Sequence, residues 1–394
     1  MHKLLTRRDF VRTTGAGLVV FASGRRAHAA PHDVLVRGGR VIDPSRGFDR
    51  IADVAISNGR IAAVGANVAT EGAKETIDAT GKLVVPGLID VHTHARTPDM
   101  PGIVLSQGVT SLVDAGSQGA DKIDEIVAIA KAAPNRVRIL LNLSKAGLGS
   151  GTELMDIANA DVDAARKAIE RHRDVIVGVK ARLSDTVVGK NDLEAVRRAR
   201  AAVEPFGLPV MLHVGQTVSP LPAILALLKP GDIVTHIYAP PPNSIFDPRG
   251  EIFPEVLAAR KRGIWFDIGN GRVGHITWQM AEDALKKNFL PDTISTDWTD
   301  AGRASQVVDF PNVLSKFLLL GMPLDRVLAC GTSNSAKLFP AFKGLGTLAV
   351  GAPADVTVLE IREGRFEFVD NAETKRAGNR RLMASATLFA GKRA

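Results

Sequence analysis

The chain has 394 residues, 45% of them hydrophobic, and a mean hydropathy of +0.06. It exceeds a minimal domain yet holds no apolar run of the roughly 20 residues that a membrane-crossing helix requires. Its net charge of +8 is concentrated in residues 1–29, where Lys3, Arg7, Arg8, Arg12, Arg25 and Arg26 face one acid, Asp9; setting that +5 aside leaves about +3, which calls for no nucleic acid or other polyanionic partner.

Residues 1–29 run from a basic segment through a short apolar stretch, Gly15 to Gly24, to Ala27-His28-Ala29, an A-x-A cleavage pattern. That is the layout of a secretory signal peptide. Within it, Thr6-Arg7-Arg8-Asp9-Phe10-Val11-Arg12 matches the twin-arginine export signal, and the modest hydrophobicity of the apolar stretch fits that route. The expectation is export by the twin-arginine machinery, with the mature protein periplasmic or secreted.

From residue 30 to 85 the pattern is short alternating strands punctuated by glycine: Val34 to Val36, Arg40 to Ile42, Val54 to Ile56, Arg60 to Val64 and Thr76 to Asp78. Such runs predict part of a small β-sandwich. After Pro86 the rhythm changes to brief apolar runs separated by helical stretches, which implies βα units and a parallel sheet. Eight candidate strands follow: Gly87 to Val91, Val109 to Asp114, Val137 to Leu143, Val175 to Ala181, Pro209 to Val214, Ile233 to Tyr238, Ile264 to Ile268 and Thr293 to Asp297. Helices are expected between them, as at Lys122 to Ala132, Val162 to Arg171, Leu193 to Val203 and Trp278 to Lys287. Eight units over residues 86–345 have the size of a (β/α)8 TIM barrel. In residues 346–394 alternation returns, at Asp355 to Glu360, Arg365 to Val369 and Leu382 to Phe389, so this tail is expected to complete the N-terminal sandwich. The basic residues there (Lys375, Arg376, Arg380, Arg381, Lys392, Arg393) read as a solvated face, and the single cysteine, Cys330, excludes an internal disulfide.

The first barrel strand runs into Asp90-Val91-His92-Thr93-His94. Residues two apart in a strand point to one side, so the two imidazoles address a common point. Lys180, His213, His236 and Asp297 each put a polar group at a strand end where a buried parallel strand has no structural need for one. In a TIM barrel the C-terminal strand ends form the active-site face, so these side chains can converge from distant positions. Imidazole and carboxylate suit zinc, with manganese, cobalt or iron as further options. An ammonium at Lys180 would be costly beside the apolar run Val175 to Val179. Desolvation and nearby metals favour the neutral amine, which can take up carbon dioxide as a carbamate able to bridge two metals; a lysine ion-paired to Asp297 is the other reading.

The runs Val85-Pro86-Gly87-Leu88-Ile89-Asp90-Val91-His92-Thr93-His94, Gly108 to Gly116, Val179-Lys180-Ala181-Arg182, Ser295-Thr296-Asp297 and Gly351-Ala352-Pro353-Ala354-Asp355 resemble the amidohydrolase superfamily. More closely, they are similar to its dihydroorotase-like deacetylase branch. The resemblance implies His92, His94 and Asp297 on one metal, His213 and His236 on a second, and carboxylated Lys180 bridging both. It implies hydrolysis by metal-bound hydroxide, with Asp297 taking the proton and passing it to the leaving group.

By the same two-residue rule, Arg182 beyond Lys180 and Tyr238 beyond His236 should face inward. Arg182 could hold a substrate carboxylate and Tyr238 a substrate carbonyl, against the plainer roles of structural ion pair and packed rim tyrosine. The glycine-rich loop Gly269 to His275 lets backbone approach a ligand. His275 is a further candidate substrate contact there, although the resemblance puts a serine near that position. The expected activity is cleavage of an acyl amide or ester of a small acylated substrate. A cyclic-amide hydrolase like dihydroorotase is the alternative, and a non-catalytic scaffold is disfavoured because no ligand is missing. Homo-oligomerisation is left open.

Overall fold

The computed structural model describes residues 32–66, 68, 72–149, 153–242, 244–271, 273–299 and 309–394; the expected signal peptide lies outside the described residues. The N-terminal part carries β1 (Val34–Asp43), β2 (Phe48–Ser57), β3 (Arg60–Gly65), β4 (Glu75–Asp78) and β5 (Leu83–Pro86). Then follow β6 (Leu88–Thr93), β7 (Val109–Ala115), β8 (Arg136–Asn142), β9 (Ile176–Arg182), β10 (Val210–His213), β11 (Ile233–Thr235) and β12 (Trp265–Asp267). The tail forms β13 (Val356–Val369), β14 (Lys375–Phe389) and β15 (Lys392–Arg393).

The two terminal segments do pair, but as one eight-stranded mixed sheet in the order β15-β14-β13-β5-β1-β2-β3, with β4 on β1. The expected β-sandwich is corrected to that extent. The reason is the antiparallel match of Val356 with Pro86 and Val358 with Val84, which makes the tail continuous with the N-terminal strands through hydrogen bonds. Val36, Val54, Ile56, Val84, Val356, Val358 and Leu388 share one apolar cluster across both segments. The tail runs expected to be separate strands are instead one long hairpin, β13 and β14, whose tip spans residues 370–374.

The middle of the chain forms a seven-stranded sheet in sequence order, β6 to β12, with every neighbouring pair parallel. Helices arise where apolar residues recur at three- and four-residue spacing. Val162–Arg171 is capped by the Asp161 carboxylate on the Ala164 amide and buries Ala165, Ala168 and Ile169. One large cluster fills the space between helices and sheet, and a smaller one lines the inner face, where Ile89, Val91, Leu140, Val177 and Met211 meet Phe339 and Phe342.

The eighth expected strand, Thr293 to Asp297, is not a ladder strand. It is joined by isolated parallel bridges to both ends of the sheet, Asp267 with Thr293 and Thr93 with Trp298. Asp297 has φ 48°, a left-handed conformation that interrupts the extended repeat. Its amide nonetheless donates to the His92 carbonyl at 2.6 Å, and the His94 amide donates to the Trp298 carbonyl at 2.9 Å. The segment therefore lies against the strand that carries the H-x-H run.

Candidate metal centre

The strand ends bring two groups of ligand atoms together. His92, His94 and Asp297 form one and His213, His236 and His275 the other, with the atoms of each within 4.8 Å of one another. Lys180 lies beside the first group, with Nζ 2.9 Å from His92 Nε2 and 3.4 Å from Met211 Sδ. Among the described residues Lys180 forms no ion pair; the carboxylate of Asp297 faces His92 at 3.3 Å, His94 at 3.1 Å and His275 at 3.1 Å. The rings of His92 and His236, 5.2 Å apart, link the two groups.

Local backbone decides which side chains arrive. Val91 packs in the inner-face cluster, so strict alternation would turn His92 outward. A register irregularity between Asp90 and Thr93 re-aims it, as bulges beside active sites do. In the paired strands β9 and β10, Lys180 lies opposite Met211 and Arg182 opposite His213, on a shared face. His236 has φ 67°, so it follows Thr235 into the site instead of alternating away from it.

That turn also overturns the expectation for Tyr238. Its ring is buried in the main core near Phe317, and its hydroxyl donates to the Phe289 carbonyl at 2.7 Å. With the two-residue alternation broken at His236, Tyr238 points away from the cluster. Arg182 does face the mouth, beside His213, and its Nη1 donates to Glu153 Oε1 at 2.5 Å. His275 is drawn into the centre: its ring stacks on His236 at 3.8 Å and 25°.

Behind the imidazoles stand carboxylates that reading by strand end did not single out. Asp267 accepts from Thr235 at 2.7 Å, and the Thr235 hydroxyl lies 3.0 Å from His92 Nδ1. Asp114 accepts from Ser117 at 2.6 Å, and the Ser117 hydroxyl lies 3.0 Å from His94 Nδ1. His236 Nδ1 meets the Gly269 carbonyl at 2.8 Å, which leaves Nε2 to face the site. Such partners fix ring orientation and tautomer in metal sites. Asp90 ties the first strand to the closing segment by accepting from the Thr296 hydroxyl at 2.6 Å, and burial pushes its carboxyl up to about 7. The signal for all three was a carboxylate inside an apolar strand.

The charges suit a cation-binding centre. Burial pushes the Lys180 ammonium down to about 7, against the pull of Asp297. Burial, then the charge of His275, holds His213 and His236 well below the usual imidazole range, so both are neutral and able to ligate. Burial alone would raise Asp297, but His92, His275 and His94 around it hold the carboxyl well below its usual range. Two buried nitrogens, His236 Nε2 and His275 Nδ1, have no hydrogen-bond partner. A buried polar atom left without a partner is costly, and an electron-pair acceptor between these groups would satisfy both. The residues present fit divalent metal.

Comparison with known proteins agrees with this geometry. Residues 83–379 match the amidohydrolase family. A deacetylase of Enterococcus faecalis is 31% identical over 370 residues, which cover 91% of this chain and 98% of that protein. Among solved structures, an adenine deaminase superposes with TM-score 0.84 at 30% identity, covering 92% of this chain and 99% of the other. A dihydroorotase superposes with TM-score 0.82 at 27% identity, covering 91% and 97%. These likenesses make the parallel-sheet domain TIM-barrel-like. Over three quarters of its length, from the start of β5 into the terminal hairpin, the chain belongs to the amidohydrolase family of hydrolases.

Proposed function

We propose that this hydrolase cleaves an acyl amide or ester of a small substrate, in the manner of a deacetylase, at a binuclear centre. The observation that carries the reading is the convergence of His92, His94, Lys180, His213, His236 and Asp297 at one end of the barrel-like sheet. The likeness to a deacetylase over nearly its whole length supports the acyl substrate class. In this reading residues 293–298 take the place of the eighth strand of a (β/α)8 barrel, with residues 30–85 and 346–394 as its small β-domain.

His92, His94 and Asp297 would hold one ion and His213 and His236 the other, with zinc favoured by the donor set. Divalent metals bound there lower the pKa of water and polarise an acyl oxygen. Lys180, buried and held down to about 7, presents a neutral amine whose nitrogen can bond the carbon of CO2 and release a proton. The resulting carbamate would supply an anion for the two groups that these residues would hold. Asp297, ionised and 3.1 Å from His94, accepts the proton of the attacking water and delivers it to the departing amine or alcohol. Arg182, pinned through one nitrogen by Glu153, keeps other donors for a substrate carboxylate.

The twin-arginine motif at Arg7 and Arg8 supports export to the periplasm or beyond, and replacing both with Lys should leave unprocessed protein in the cytoplasm. The activity is tested by assaying the zinc-loaded mature protein on N-acetyl-D- and L-amino acids, acetylated hydroxy acids and dihydroorotate. Turnover of acyl substrates is expected. Turnover of dihydroorotate alone would replace this reading with the cyclic-amide one, which the dihydroorotase likeness favours.

A further inference from the structure

The loop that presents His275 is held by the other sheet. At the tip of the β13–β14 hairpin, Asn371 Oδ1 accepts from the amides of His275 at 3.1 Å and Ile276 at 3.0 Å. Its Nδ2 donates to the Gly271 carbonyl at 3.1 Å, and its own amide donates to the Ile276 carbonyl at 3.0 Å. One side chain and its backbone thus bind both ends of the turn. Neighbouring contacts stiffen the clip: Asp370 Oδ2 accepts from the Trp278 amide at 2.9 Å, the Trp278 indole donates to the Thr374 carbonyl at 2.8 Å, and Arg376 pairs with Glu282.

The loop in turn leaves room for the ring it carries. Gly271 has φ 53°, and a Cβ there would come within 1.9 Å of His275 Nδ1 and 2.7 Å of Asp297 Oδ2. Only glycine permits that approach. His275 Nδ1 is buried and has no hydrogen-bond partner, and one ring nitrogen of His275 lies within ligand spacing of His213 and His236. The 3.1 Å approach of Nδ1 to Asp297 Oδ2 is at ion-pair distance but lacks hydrogen-bond geometry, so within the protein the nitrogen has a charged neighbour and no hydrogen bond.

We propose that His275 is a third imidazole donor to the ion at His213 and His236, and that Asn371 of the terminal sheet is the positioning residue that presents it. This rests on the binuclear reading above. Imidazole binds a metal in its neutral form, so three such ligands would add no charge to the ion and would hold it while leaving its Lewis acidity largely intact. The terminal sheet acquires a purpose at the centre, since Asn371 holds the His275 end of a loop whose Gly269 end is tied to Ser295 and Lys316.

The test uses full-length mature protein stripped of metal and reloaded with cobalt, following chelator-competition affinities, the visible cobalt bands and the melting temperature of the metal-free form. Wild type should bind two cobalt ions. His275→Ala should weaken one site at least 10- to 100-fold, change the bands of that site and leave the other alone. Asn371→Ala should weaken the same site about tenfold, the range seen for groups that orient a ligand. Asn371→Asp keeps both acceptor contacts to the loop amides and should recover most of that loss. A purely structural role would lower metal-free stability and affect both sites alike, which overturns the proposal. So does His275→Ala with unchanged affinities and bands, even where its activity or pH profile moves, because that pattern marks a proton relay. Wild type that binds no cobalt would overturn the binuclear reading itself.

Discussion

Lys180 Nζ lies 2.9 Å from His92 Nε2, two nitrogen bases in a buried space with no carboxylate ion-paired to the lysine among the described residues. Purified mature protein should therefore hold close to two equivalents of divalent metal, and Lys180→Ala should lose at least one, since Asp297, the anion nearest both groups, is already taken up by the first ion. Added short-chain carboxylate should partly restore it. Elemental analysis of the two proteins checks this, and full metal content in the variant would remove the carbamate from the scheme.

Asp297→Asn offers an isosteric amide that can still present an oxygen but cannot accept a proton. The variant should fold, keep much of its metal and lose about 10²- to 10⁴-fold in kcat, the usual contribution of general acid-base catalysis. For the wild type, kcat/KM should rise with pH to a plateau. Because Asp297 is held well below its usual range by His92, His275 and His94, that limb belongs to the coupled centre and not to this carboxylate alone. A fully loaded variant with near-wild-type kcat would show that no protein base is needed.

Arg182 pairs with Glu153 and is proposed to hold a substrate carboxylate, and the two roles can be separated. Arg182→Met should cost roughly 2 to 4 kcal/mol in kcat/KM on carboxylate-bearing substrates and much less on neutral esters. It should also destabilise the fold by about 1 to 3 kcal/mol, because Glu153 is buried and loses its charged partner. Adding Glu153→Gln should return stability without returning the substrate preference. Equal kinetic losses on both substrate types would leave Arg182 as a structural partner only.

Lys316, buried in the helix Phe310–Leu319, donates to Asn270 Oδ1 at 2.9 Å and is pushed by burial down to about 8. The unfolded chain keeps this proton to about 10.5, so between about 8 and 10.5 the unfolded state binds more protons than the folded one. Stability should rise with pH across that window, by at most on the order of 3 kcal/mol from this residue, while below about 8 its cost stays constant. Urea midpoints measured against pH should show a steeper rise for wild type than for Lys316→Met. Parallel curves would mean that Lys316 keeps its ordinary pKa in the folded protein.

Most of the centre is legible in the amino-acid order. Polar residues at the ends of apolar strands, His92, His94, Lys180, His213 and His236, meet because parallel βα units deliver every strand to the same end of the sheet. That consequence depends only on strand periodicity and connection order, both of which are local. Tertiary structure alone decided the rest. Left-handed backbone at His236 and Asp297 is imposed by packing and leaves no side-chain pattern, so it turned Tyr238 into the core and cut the eighth strand short. Asn371 reaches the His275 loop from 96 positions away, and no local preference of either segment encodes that meeting. It exists because the tail pairs with β5 and the hairpin is long enough to arrive, a matter of where one sheet sits on another.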